Sequence, residues 1–242
     1  RGWSHAARPS SSCFRRWQSR TEGREPLAIG DGSRDPHADQ PVLWRGAEVA
    51  QARLAVILVH GRGGSADDIL SLAEQFTLGD VAYVAPQAAG RTWYPYSFLA
   101  PVEQNEPGIS SGLQRLSRLL AELAEQGMPS ERVGLLGFSQ GACLALEFAA
   151  RFQRKYAAVV GLSGALITPP GVPRVSTGLL QGTPVLLGCS DIDAHIPLER
   201  VRDAASAFRQ LGATVDERIY PQMGHTVNQD EVQAVRALFA GA

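Results

Sequence analysis

The chain has 242 residues, 44% of them hydrophobic and 19% charged, with a formal net charge of −1. Those figures suit one globular domain with a large core and argue against a nucleic-acid or anionic-membrane partner. No apolar run reaches the roughly 18 residues of a membrane-spanning helix.

The three cysteines, Cys13, Cys143 and Cys189, are too few and too scattered for a disulfide framework or a zinc site. Cys143 and Cys189 read instead as small buried apolar residues. No metal and no cofactor is implied, since neither an H-E-x-x-H motif nor a Cys/His cluster occurs. Lys155 is the only lysine among 23 basic residues, a coding bias that fits a GC-rich bacterial source.

Residues 1–40 differ from the rest. Arg1 to Arg20 holds five arginines, five serines and no acidic residue. Thr21 to Gln40 is rich in Gly, Asp, Pro and Arg without apolar periodicity. The stretch has no apolar core of the kind a secretory signal needs, so a cytoplasmic location is the expectation. It reads as an upstream or vector-derived extension or a truncated leader, poorly ordered unless the body pins it down.

From 41 to 242 the chain reads as one domain of alternating strands and helices. Val42 to Ala50 is a first strand. Leu54 to Val59 is continuously apolar, as a strand buried on both faces should be. Ser65-Ala66-Asp67-Asp68 starts a helix, with a serine cap and acids in the first turn, and Ile69, Leu72, Ala73 and Phe76 recur at helical spacing. Asp80 to Ala85 is a strand. Gly108 to Gln126 is a helix with Leu113, Leu116, Leu119, Leu120 and Leu123 on one stripe and Gly127 as its stop.

Val133 to Leu136 is a strand that leads, through Gly137-Phe138-Ser139-Gln140-Gly141, into the apolar helix that Ala142 to Ala150 continues. Ala157 to Leu162 and Pro184 to Leu187 are further strands. A helix over Pro197 to Leu211, a strand over Val215 to Tyr220 and a helix over Asp230 to Phe239 complete the order. The class is α/β: a mostly parallel twisted sheet with helices on both faces and no large cap domain. The longest loops, Pro86 to Pro107 and Ala165 to Thr183, leave the carboxyl edge of the sheet, the edge that also carries Ser139.

A serine between a strand and a helix, flanked by glycines two residues away on each side, is the pattern of a nucleophile elbow. Such a turn is tight, and glycine has no Cβ to clash. Ser139 is therefore the candidate nucleophile, and the Gln140 N–H points where an oxyanion can sit. A serine nucleophile needs a histidine base oriented by a carboxylate.

Among five histidines, His5 and His37 fall in the leader, His60 is better placed as a scaffold residue, and His195 sits turned aside two residues after Asp193. His225, in the loop between the last strand and the last helix, is where the base belongs. The acid lies in Gly188 to Pro197, where Asp191 and Asp193 compete. A second oxyanion donor falls in His60-Gly61-Arg62-Gly63-Gly64, from the N–H of Arg62 or Gly63. Gly61 and Gly63 let that backbone approach a substrate closely.

Together these segments resemble the phospholipase/carboxylesterase branch of the α/β-hydrolase superfamily, which includes acyl-protein thioesterases and small bacterial carboxylesterases. The matching stretches are Leu58 to Gly64, Pro86-Gln87-Ala88 with Trp93-Tyr94, Gly137 to Gly141, Gly161 to Leu166, Asp193 with Ile196-Pro197, and Gly224-His225. The resemblance implies an α/β-hydrolase fold, Asp193 as the acid, and Arg62 and Gln140 as oxyanion donors. Two positions depart from the pattern: Ala194 stands where a proline is usual, and Arg62 where the thioesterases often carry an apolar residue.

The expected function is a serine carboxylesterase acting on short- to medium-chain esters through an acyl-enzyme on Ser139. Trp93 and Tyr94, with Tyr96 and Phe98, are expected to line the substrate pocket. The alternatives are a long-chain acyl-protein thioesterase or lysophospholipase, and, of another class, a binding protein on a hydrolase scaffold. The expected partner is a small-molecule ester. A homodimer is compatible with the sequence, although periodicity marks no apolar patch for it.

Overall fold

The computed structural model describes residues 35–171 and 180–242. The strands are β1 Val42–Gly46, β2 Leu54–Val59, β3 Val81–Pro86, β4 Val133–Phe138, β5 Ala158–Leu162, β6 Pro184–Ser190 and β7 Thr214–Tyr220. They form one sheet in the order β1-β3-β2-β4-β5-β6-β7. Only β1 runs antiparallel to its neighbour; the other pairs are parallel. The helices of the described residues are α1 Ala66–Glu74, α2 Gly108–Glu125, α3 Gln140–Arg151, α4 Leu198–Gln210 and α5 Gln229–Ala240.

β2 shows why the sheet is covered on both sides. All six of its residues are buried. Ala55, Ile57 and Val59 join the core under α2, α3 and α4, whereas Leu54, Val56 and Leu58 join the core under α1 and α5. The period-2 alternation of a strand thus feeds two apolar layers. α1 opens with a capping box: the Ser65 Oγ accepts from the Asp68 N–H at 3.2 Å, and the Asp68 carboxylate accepts from the Ser65 N–H at 2.8 Å. The leucine stripe of α2 is buried as its spacing predicts.

β1 stops at Gly46 rather than Ala50. Gly46 has φ +79°, and a Cβ there would stand 2.3 Å from the Val81 carbonyl oxygen, so only glycine lets the chain turn off the sheet edge. β6 runs past Leu187 to Ser190 because β7 pairs with it along its whole length.

Residues 35–40, which composition assigns to the leader, pack on the body. The Asp35 carboxylate accepts from the Ser111 hydroxyl and from Arg118, and His37 is buried. The rest of the leader lies outside the described residues, as does 172–179 of the Ala165–Thr183 loop. Among the described residues no helix is long and apolar enough to cross a membrane.

From β2 the chain steps to β3 on one side, and β4 then returns to the other side of β2. The order reverses between β2 and β4, where an open parallel sheet leaves a crevice at its carboxyl edge.

Candidate active site

That crevice holds the elbow. Ser139 adopts φ +55°, ψ −121° between β4 and α3, a conformation that costs a non-glycine residue about 1–3 kcal/mol and persists only where its surroundings impose it. The flanking glycines are needed for close approach. A Cβ on Gly137 would lie 2.3 Å from the Gly141 oxygen, and one on Gly141 would lie 2.1 Å from the Val59 oxygen. The turn is packed directly against the end of β2, and the Ser139 hydroxyl is lifted off the sheet.

The hydroxyl meets His225. The Ser139 Oγ lies 2.8 Å from His225 Nε2, and His225 Nδ1 lies 2.7 Å from Asp193 Oδ2. The Asp193 side chain is fully buried. Burial by itself raises its carboxyl, but the hydrogen bonds from His225 and from the backbone N–H groups of His195 and Ile196 outweigh it and hold the group below the usual carboxylate range. The N–H donors stand at 2.8 and 3.1 Å from Oδ1. They supply the loop rigidity that Ala194, in place of a proline, does not.

Asp191 has a different task. Its Oδ1 accepts from the Gln222 N–H at 2.7 Å, which ties the loop carrying His225 to the loop carrying Asp193. His195 is not turned aside: its ring stands edge-on to His225 with centroids 4.8 Å apart, and the N–H groups of His195 and Ile196 on Asp193 curl the loop back toward it.

His60 is a scaffold residue. Its Nε2 faces the Ala88 N–H at 3.1 Å, so Nε2 is the acceptor and Nδ1 the donor to the Gly61 oxygen at 2.8 Å. Burial lowers its pKa below the ordinary value. In the adjoining glycine loop the Gly63 N–H donates to the Arg91 oxygen at 2.8 Å, which of the two candidate donors leaves Arg62. Gly61 packs against the elbow, where a Cβ would come 3.3 Å from the Ser139 Cβ.

Beside Ser139 lies a cavity of about 360 Å³ whose walls include Tyr94, Tyr96, Phe98, Cys143 and Ile196, with Arg62 and His195. Trp93 does not line it. The Trp93 side chain is fully buried, and its indole N–H donates to the His60 oxygen at 2.9 Å. A buried indole N–H requires such a partner, so Trp93 supports the His60–Gly64 loop and does not line the cavity.

The wall segment 92–98 belongs to no helix or strand, so its backbone polar groups need partners from elsewhere. The Gln140 side chain accepts from the Trp93 N–H at 2.9 Å and donates to the Tyr94 oxygen at 2.8 Å. The Arg62 guanidinium donates to the Pro95 and Tyr96 oxygens at 2.7 and 2.6 Å. Asn105, fully buried, accepts from the Tyr96 N–H and donates to the Ser97 oxygen. His37 donates from Nε2 to the Trp93 oxygen and accepts at Nδ1 from the Ala89 N–H.

The side chains of Arg62 and Gln140, the two residues expected to supply oxyanion N–H groups, thus shape the pocket wall. Sequence reasoning missed the roles of Asn105 and His37, which sit in polar stretches with no periodicity to mark them. Among the described residues no cluster of His, Cys, Asp or Glu could hold a metal ion.

The Phospholipase/Carboxylesterase family model matches residues 46–240. Acyl-protein thioesterase 1 of Yarrowia lipolytica is 30% identical over 158 residues, 58% of this chain and 70% of the relative. Acyl-protein thioesterase 1 of Debaryomyces hansenii is 25% identical over 214 residues, 79% of this chain and 92% of the relative. A solved phospholipase/carboxylesterase of Dyadobacter fermentans is 38% identical, with a TM-score of 0.79 over 83% of this chain and 96% of its own. The Bacillus cereus carboxylesterase, at 16% identity and a TM-score of 0.69 over 84% of this chain and 95% of its own, shares the fold. The chain has the α/β-hydrolase fold and belongs to the phospholipase/carboxylesterase family of hydrolases.

Proposed function

We propose that the protein is a serine carboxylesterase for short- to medium-chain esters, with Ser139, His225 and Asp193 as its catalytic residues. The observation that carries this reading is the unbroken hydrogen-bonded line from the Ser139 Oγ through His225 to Asp193. His225 Nε2 takes the hydroxyl proton as Ser139 attacks the ester carbonyl. Asp193 fixes the imidazole tautomer and stabilises the imidazolium. The Arg62 and Gln140 N–H groups stabilise the oxyanion. The alcohol leaves with the proton from His225, and water then cleaves the acyl-enzyme through the same groups.

The pocket supports the shorter acyl groups. Arg62, Ser97 and His195 interrupt the apolar walls beside Ser139, whereas a long acyl chain gains its affinity from continuous apolar burial. A second reading, a long-chain thioesterase or lysophospholipase, is favoured by the curated relatives, which are named acyl-protein thioesterases.

A p-nitrophenyl ester panel from acetate to palmitate, run on wild type and Ser139→Ala, separates the two. A peak at short chains that vanishes in the variant supports the carboxylesterase. A peak at palmitate supports the thioesterase, and full activity in Ser139→Ala sinks both.

A further inference from the structure

A second cavity, of about 450 Å³, lies on the other side of the oxyanion loop, between α1 and the start of α5. Arg62 borders both cavities. The walls of the second cavity include Ile69 and Leu72 from α1, Val227 and Val232 from beside and within α5, and Phe138. The Phe138 ring also packs on His225, centroids 5.1 Å apart; it is a wall common to the cavity and the proposed base.

Two of the polar groups at its rim have partners already. The Asp68 carboxylate accepts from the Ser65 N–H and hydroxyl, and the Asn228 side chain caps α5 at the Glu231 N–H. What remains open to a ligand is largely apolar surface.

Ester cleavage by a serine nucleophile gives the two halves of the substrate different requirements. The acyl half is bonded to the Ser139 Oγ until water releases it, so it must occupy the cavity that Ser139 lines. The other half need only stand next to His225 once: the carbonyl C–O bond breaks, its electron pair stays on the alkoxy oxygen, and that oxygen takes the proton His225 removed from Ser139. The second cavity is bordered by Phe138, whose ring packs on His225, and by Thr226, which follows His225 in the chain, but not by Ser139, Gln140 or His225 itself.

We infer that this cavity between α1 and α5 is the leaving-group subsite, and that it takes an apolar alcohol of aryl or branched alkyl type. The inference rests on the esterase reading above.

The test is a set of butyrate esters of methanol, benzyl alcohol and 1-naphthol on wild type, Leu72→Trp and Leu72→Ala, with fluorophosphonate labelling of Ser139 read by mass spectrometry. Filling the cavity in L72W lowers the benzyl-to-methyl ratio of kcat/KM by about tenfold, and opening it in L72A raises the naphthyl-to-benzyl ratio by about threefold, changes of the size that an apolar pocket confers. The acyl-length profile of methyl esters keeps its peak in both variants.

Ratios within twofold of wild type in both variants overturn the inference, as does a shift of the acyl-length peak. If wild type takes the fluorophosphonate at Ser139 while the ratios stay flat, only the subsite falls. If Ser139 is not labelled and no ester turns over, the esterase reading falls and takes the subsite with it.

Discussion

Two regions of the carboxyl edge are built by different means. Ser139, Asp193 and His225 sit at or just beyond the ends of β4, β6 and β7, held by short loops and by bonds between neighbouring backbones. The pocket wall at 92–98 hangs from side chains on four separate segments: His37, Arg62, Asn105 and Gln140. The sheet therefore sets the proposed reacting atoms, while a set of long-range side-chain bonds sets the wall of the proposed substrate pocket. Damage to the first should appear in kcat, and damage to the second in KM and specificity.

The largest expected effect is in the first region. Ser139→Ala should lower kcat by about 10⁵–10⁶-fold with its melting temperature close to wild type, by analogy with serine hydrolases in which the nucleophile is removed. Asp193→Asn keeps the shape and loses the imidazole tautomer. A loss of about four orders of magnitude in kcat is expected, and activity within tenfold of wild type would point to another acid.

In the second region, Asn105→Ala leaves the Tyr96 N–H and the Ser97 oxygen without their partner. It should cost about 2–4 kcal/mol of stability by denaturant unfolding and should raise KM more than it lowers kcat. Arg62→Met removes the guanidinium bonds to Pro95 and Tyr96 but keeps the backbone N–H. KM should rise about tenfold with kcat within about threefold. A collapse of kcat instead would mean that the wall and the proposed oxyanion position are one unit.

The smallest effect is a pH dependence of the wall. Burial holds the pKa values of His37 and His60 below the ordinary value of 6.5. Each ring accepts a backbone N–H, which favours its neutral form, so the unfolded chain takes up protons first as pH falls. Their contribution to stability is present above about pH 6.5 and is lost below it. Glu231 works in the opposite sense: burial pushes its carboxyl up to about 7, so its contribution is lost as pH rises from 4.5 through 7. A difference measurement isolates the histidine. Asn at 37 offers one donor and one acceptor without titrating, so the melting temperature of His37→Asn should fall less than that of wild type between pH 6.5 and 5.

The sequence determined the alternation of elements, because burial on both faces makes β2 continuously apolar and burial on one face gives α2 its leucine stripe. It also determined the elbow, because Gly137 and Gly141 answer steric demands within a few residues of Ser139. The placement of His225 beside Ser139 was legible from its position after the last strand.

Other assignments needed the tertiary structure. Asp191 and Asp193 are alike as residues and two positions apart, and only the loop geometry turns Asp193 toward the imidazole and Asp191 toward the Gln222 N–H. Trp93 and Tyr94 are adjacent aromatics, yet Trp93 is buried against the His60–Gly64 loop and Tyr94 faces the cavity. Arg62 could have offered its charge to a substrate, but the backbone oxygens of a loop more than 30 residues away hold its guanidinium. The division follows the range of the physics. Periodicity, caps and steric limits act over a few neighbouring residues, whereas the pocket wall is fixed by hydrogen bonds between segments far apart in the chain, whose pairing no local pattern records.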